Sequence, residues 1–190
     1  MKSVSFCFLL LLLASASVTA QLKENNTTLT GEERERYIQK AIELRKNEDY
    51  FGAAQQLDTI LLHNPKDAPI LLFRGDLMLQ GKRYSEAVTT YKRLLTLNYE
   101  PTITKINLSY ALFMNRKPGL ALNHAKNAWE QNRTNSNAVV NYFNALLWNI
   151  KTKEAGTFLD KQDSLLTPGQ VLVLKARLYT TSGNYNEGLK

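Results

Sequence analysis

Residues that could do chemistry are sparse in this 190-residue sequence, and none forms a recognisable catalytic set. The two histidines, His63 and His124, do not lie in a metal-ligand motif, so we predict structural or surface roles for both. Asp160 and Asp163 could act as paired carboxylates, but a solvated face of one predicted helix is the commoner explanation. Phosphate-binding glycine loops and serine-nucleophile motifs are absent from the sequence. We therefore predict no enzymatic activity, no metal site and no cofactor.

Residues 1–20 have the order of segments that is typical of a secretory signal peptide. Lys2 gives a positive start, an apolar run extends from Phe6 to Leu13, and short side chains precede a cleavage site after Ala20. A membrane anchor is the alternative, but the run is shorter than the ~20 apolar residues that a spanning helix needs. We predict an exported product that is periplasmic or secreted, with association to the outer membrane left open.

Composition narrows the range of partners. Cys7 is the only cysteine and lies in the predicted signal peptide, so the mature chain offers no thiol for a disulfide, a nucleophile or a metal. The formal net charge is +7, yet basic and acidic residues alternate, as they do from Glu33 to Arg36. Such interleaving indicates a solvated helical surface. Nucleic acid is not predicted as a partner, and no later segment is apolar enough to span a membrane.

Small residues recur with a fixed period. One column is spaced 34 residues apart: Ala53, Ala87, Ala121 and Ala155. A second column keeps that step with residue types that tolerate a left-handed backbone: Asn47, Gly81, Asn115 and Asn149. A third is small in three of its four members: Ala41, Gly75, Ser109 and Phe143. The period predicts an all-α chain of helix pairs, with each alanine at a tight contact between two helices.

Three segments resemble the second half of a tetratricopeptide repeat, a helix–turn–helix unit of 34 residues. They are DYFGAA at 49–54, GKRYSEA at 81–87 and GNYNEGL at 183–189. The resemblance implies a right-handed α-solenoid of about four and a half repeats. A flexible lead at 21–33 would precede repeats at 34–67, 68–101, 102–135, 136–168 and, incompletely, 169–190. Generic helical hairpins are the alternative, because the early tryptophan of the family is missing and its closing proline survives only as Pro65.

The resemblance also implies a binding groove, since the first helix of each tetratricopeptide pair lines the concave face. Carried over position by position, the predicted partner-binding residues are Phe73, Asp76, Asn107, Tyr110, Phe113, Asn141, Asn144, Trp148 and Arg177. Aromatic rings would anchor a partner, and asparagines would pair with the backbone of an extended peptide. Packing of the aromatics between helices is the alternative. The family's carboxylate clamp is not predicted, because Ile38 and Ile42 occupy two of its positions.

These observations favour a scaffold or adaptor that binds a protein or peptide in the cell envelope or outside the cell. One alternative is the periplasmic arm of a larger outer-membrane or polysaccharide-export protein that continues past Lys190. A cryptic enzyme or an enzyme accessory is a third alternative. Without a capping helix, we also expect that the last repeat could self-associate, because its apolar face would lack cover.

Overall fold

The computed structural model describes residues 28–184, so the predicted signal peptide, most of the predicted lead and residues 185–190 lie outside it. The chain is helical throughout this range, without a strand. The helices are α1 Gly31–Lys46, α2 Tyr50–His63, α3 Ala68–Gln80, α4 Tyr84–Thr96, α5 Pro101–Met114, α6 Pro118–Gln131, α7 Ser136–Trp148, α8 Thr152–Asp160 and α9 Pro168–Ser182. A short 3-10 helix, Asp163–Leu165, lies between α8 and α9.

Helix α1 begins with a capping box. Glu33 N donates to Thr30 Oγ1 at 3.2 Å, and Thr30 N donates to the Glu33 carboxylate at 3.0 Å. The hydrogen bond from the Thr30 backbone lowers the pKa of Glu33, because it favours the charged carboxylate. The helix starts at Gly31, so it includes the last three residues of the predicted lead at 21–33.

The predicted alanine column lies at the closest helix contacts. Its members are all fully buried: Ala53, Ala87, Ala121 and Ala155. The Ser109 hydroxyl donates to the Ala121 carbonyl oxygen at 2.9 Å, which shows how near the two backbones of the third pair approach. A Cβ atom added at Gly75 would lie 2.7 Å from Cε1 of Tyr91. The period therefore marks positions where a larger side chain has no room.

The prediction of left-handed backbone at the Asn and Gly column is wrong by one residue. Asn47, Gly81, Asn115 and Asn149 are C-caps with negative φ angles. The left-handed residues are the next ones along the chain: Glu48, Lys82, Arg116 and Ile150. The residues of this column make close contacts with a neighbouring helix instead. A Cβ at Gly81 would lie 3.1 Å from Cβ of Tyr50, and Asn149 Nδ2 donates to the Pro118 carbonyl at 3.0 Å.

The core follows the stacking of the pairs. One cluster of buried apolar side chains extends from Ala41 to Ala121 through α1–α6, and a second from Val139 to Leu174 through α7–α9. Phe143 is fully buried and fills the position that is small in the preceding pairs. Each pair thus buries its apolar face mainly against its neighbours, as in a solenoid.

The fourth pair is the least regular. Helix α8 has nine residues and ends at Asp160, and Asp163 belongs to the following 3-10 helix. The prediction that these two carboxylates share one helix face is therefore wrong. On α9, Leu174 is buried, whereas Leu172 is 70% exposed. No helix within residues 28–184 is both long enough and apolar enough to cross a membrane.

Candidate functional site

The first helices of the successive pairs, α1, α3, α5, α7 and α9, place the predicted binding residues in one row. We call this row the first-helix face. Cross-helix contacts join its members in order along the chain. Arg45 on α1 donates from Nε to the Gln80 side-chain oxygen of α3 at 3.2 Å, and its guanidinium lies 5.9 Å from the ring centroid of Phe73. Phe73 is half-buried and also packs against the core.

Asp76 anchors the next contact, between α3 and α5. Its Oδ1 accepts from the Tyr91 hydroxyl at 2.6 Å and from Asn107 Nδ2 at 3.1 Å. Burial raises the pKa of the Asp76 carboxyl against the opposing effect of these hydrogen bonds. Burial and the Asp76 charge together raise the pKa of the Tyr91 phenol. The carboxylate therefore fastens α3, α4 and α5 together, beside a pocket of about 430 Å³ that Tyr110 also lines.

An aromatic group connects α5 with α7. Phe113 stacks on Trp148 with ring centroids 4.0 Å apart and an interplanar angle of 6°. Tyr110 lies tilted to Trp148, at 6.3 Å between centroids. Tyr110 is 43% exposed, whereas Phe113 and Trp148 are half-buried and pack against the core. Of the two alternatives, exposure in a groove describes Tyr110. Phe113 and Trp148 combine both, because each is partly exposed and also packs against the core.

The asparagines of α7 differ from each other. Asn144 Oδ1 accepts from Arg177 Nη1 of α9 at 2.9 Å, which joins the last two first helices. Asn141 is only 7% exposed, and its Oδ1 is buried without a hydrogen-bond partner in the described part of the chain. A buried amide oxygen without a partner costs about 1–3 kcal/mol, so a donor from outside the described residues would be favoured here. The side chain is less open than the sequence led us to expect.

The histidines show no ligand geometry. His63 ends α2 and is exposed, as predicted for a residue at a helix terminus. His124 is half-buried on α6, and burial, with smaller contributions from Lys105 and Lys92, lowers its pKa. Within residues 28–184 no three His, Cys, Asp or Glu side chains are grouped so that they could hold a metal ion.

Solved structures with the same arrangement are known. The chain matches the crystal structure of MamA with a TM-score of 0.69 and 19% identity, over 84% of this chain and 88% of that one. It matches YrrB, described as a tetratricopeptide-repeat protein with an unusual peptide-binding site, with a TM-score of 0.63 and 19% identity, over 90% and 86% of the two chains. A tetratricopeptide-repeat protein from Parabacteroides merdae matches with a TM-score of 0.70 and 18% identity, over 83% of this chain and 63% of that one.

The chain has the tetratricopeptide-repeat fold. No family model and no curated protein matches the sequence itself. In a tetratricopeptide solenoid the stacked pairs create an extended concave surface for binding. The contacts of the first-helix face join residues about one repeat apart, from Arg45–Gln80 at one end to Asn144–Arg177 at the other.

Sequence reasoning missed two parts of this tetratricopeptide structure. Tyr91 was not predicted as a partner of Asp76, although its place on a second helix opposite Gly75 could have indicated it. An aromatic cluster of Trp129, Tyr142 and Phe158 was also missed, with ring centroids 4.8–5.4 Å apart. Its members come from α6, α7 and α8 and follow no repeat column, so the sequence contained no signal for it.

Proposed function

We propose that this protein is a scaffold that binds an extended segment of a partner protein along its first-helix face. The observation that carries the proposal is the surface between α5 and α7. There the exposed ring of Tyr110 lies beside the stacked Phe113 and Trp148. Asn141 is on the same helix as Trp148, and its Oδ1 has no hydrogen-bond partner among residues 28–184. Aromatic side chains offer a large contact area and lose little rotamer entropy, so they dominate binding energy at interfaces.

The uncharged character of this surface indicates what it recognises. Helix α7 has no charged residue, and α5 has only Lys105. Asparagine side chains can donate and accept at once, which suits the alternating N–H and C=O groups of an extended peptide. The peptide-binding site named for YrrB gives this proposal independent support from a similar fold.

The place of action that we propose is the cell envelope or the space outside it. The signal-peptide pattern of residues 1–20 supports export. N-terminal sequencing of material recovered outside the cytoplasm should begin at Gln21. Recovery of the chain with Met1 still attached would contradict cleavage.

A peptide selection tests the binding proposal. Random dodecapeptides displayed on phage would be selected on the protein, and affinities of the winners measured for Tyr110→Ala. We expect about a thirtyfold loss, because an aromatic anchor typically contributes about 2 kcal/mol. Leu62→Ala is the matched control, since Leu62 is 80% exposed on α2, a second helix. Equal affinities of wild type and Tyr110→Ala, or failure to select any binder, would reject the first-helix face as the binding site.

A further inference from the structure

An apolar pocket of about 260 Å³ lies between α7 and α9, at the C-terminal end of the first-helix face. Its lining residues are Val140, Gly169, Gln170, Val173, Leu174 and Arg177. Val173 is half-exposed, so an apolar surface is open to solvent on one wall. Arg177, one of the predicted binding residues, lines the pocket and connects it to the first-helix face through Asn144.

Arg177 forms the polar wall of this pocket. One of its N–H groups donates to Asn144 Oδ1 at 2.9 Å, in a hydrogen bond that is exposed to solvent. A guanidinium has five N–H donors in a planar fork, so donors remain for a second acceptor. No carboxylate lies within ion-pair distance of Arg177 among residues 28–184, and neither α7 nor α9 contains an acidic residue.

We propose that this pocket takes an aliphatic side chain of the partner segment while Arg177 binds an acidic side chain next to it. This inference rests on the proposed function and names the chemistry of the partner at this end of the face. Charge complementarity supports this proposal. The Arg177 guanidinium has no acidic neighbour among residues 28–184, and it borders the apolar wall of the pocket. An ordinary solvated arginine would account for the exposure of Arg177 but not for its attachment to Asn144 beside an open apolar cavity.

The composition of the pocket favours an aliphatic side chain with an acidic neighbour over other occupants. Apart from the Gln170 amide and Arg177, its lining side chains are apolar, so a basic or strongly polar partner residue would gain nothing there. A carboxylate that binds the guanidinium through two parallel hydrogen bonds gains both energy and orientation. The ion pair is exposed to solvent, so its contribution is modest, up to about 1 kcal/mol, and its loss should weaken binding by up to about fivefold.

The experiment uses the phage-selected dodecapeptides on the protein. We expect winners that carry Asp or Glu next to Leu, Ile or Val. Each winner would be synthesised with the acid replaced by its amide, and separately with an amidated C terminus. The acid-to-amide change should weaken binding of wild type by up to about fivefold and have no effect on binding to Arg177→Gln. Lys175→Gln is the matched control, since it removes the same charge from the exposed surface of the same helix.

Several results would overturn the proposal. Winners without an acidic residue beside an aliphatic one would do so, as would equal losses from Lys175→Gln and Arg177→Gln. A loss on C-terminal amidation, with none on the acid-to-amide change, would assign Arg177 to a terminal carboxylate instead.

If Tyr110→Ala weakens binding and Arg177→Gln does not, only this inference fails. If Tyr110→Ala has no effect or no peptide is selected, the proposed function fails and this inference falls with it. Circular dichroism must show that each variant keeps its helices.

Discussion

Phe113 and Trp148 lie face to face across α5 and α7, with ring centroids 4.0 Å apart and planes within 6° of parallel. One face of each ring is therefore occupied by the other ring. Both side chains also pack against the core, so each of them links folding to the shape of the first-helix face. Tyr110 lies next to the pair and is the ring that solvent reaches most.

This arrangement predicts that the Trp148→Ala and Tyr110→Ala variants differ in stability. Trp148→Ala should lower the free energy of unfolding by about 2 kcal/mol, because a half-buried ring and its stacking partner are lost. Tyr110→Ala should change it by less than about 0.5 kcal/mol, as is usual for an exposed side chain. Urea unfolding measures both values. A larger loss for Tyr110→Ala than for Trp148→Ala would contradict the burial pattern.

Two glycine-to-alanine changes should have opposite signs. At Gly75 the new Cβ would lie 2.7 Å from Tyr91, so we expect a loss of about 1–3 kcal/mol through overpacking. At Gly119 on α6 nothing lies within 4 Å, so the better helix propensity of alanine should leave stability unchanged or raise it by up to ~1 kcal/mol. Thermal unfolding of the two variants would compare them directly. An unchanged or raised melting temperature for Gly75→Ala would contradict the close approach of α3 and α4.

The alanine column gives a second packing test. Ala87→Leu and Ala121→Leu should each cost about 1–3 kcal/mol, because both positions are fully buried at helix contacts. Lys92→Leu on the exposed side of α4 is the matched control and should be nearly neutral. Unchanged melting temperatures for both alanine variants would show that the repeat register is wrong.

Asp76 should make stability depend on pH in a defined direction. Its folded-state pKa is raised above the ordinary value of 3.8 by burial, so the folded chain binds this proton more tightly than the unfolded chain. The contribution is fully present below the ordinary pKa and is lost as pH rises through the folded-state pKa. Asp76→Asn should therefore gain in stability relative to wild type across the pH window that opens near the ordinary value of 3.8 and extends upward through the folded-state pKa.

Urea unfolding of both chains at several pH values in that window would measure the difference. A difference that stays constant, or that shifts in favour of wild type as pH rises, would contradict the raised pKa of Asp76.

Much of the fold could be predicted because the small buried residues at its helix contacts recur every 34 residues. Ala53 and Ala121 mark the same contact in different pairs, so the spacing alone located the helix pairs. The turn was placed one residue early because asparagine suits both a left-handed position and a C-cap, and Asn149 in fact bonds to Pro118. Residue type alone does not distinguish a left-handed position from a C-cap.

The candidate site was less predictable, since it depends on contacts between residues about one repeat apart. From the sequence, Trp148 could contact a partner, Phe113 or both, and only the packing of α5 against α7 shows that it stacks on Phe113. Asn141 and Asn144 are the same residue type on one helix. Within residues 28–184, Asn141 Oδ1 is buried without a hydrogen-bond partner, whereas Asn144 Oδ1 accepts from Arg177.

Site-specific photocrosslinking in the native host tests the central claim most directly. A photoreactive phenylalanine derivative would replace Tyr110 on the first-helix face in one chain and Leu62 on a second helix in another. Leu62 is the more exposed position, at 80% against 43%, so chance encounters favour the control. We predict a discrete crosslinked partner from position 110 that is absent or much weaker from position 62. A partner captured from position 62 and not from position 110 would contradict binding along the first-helix face.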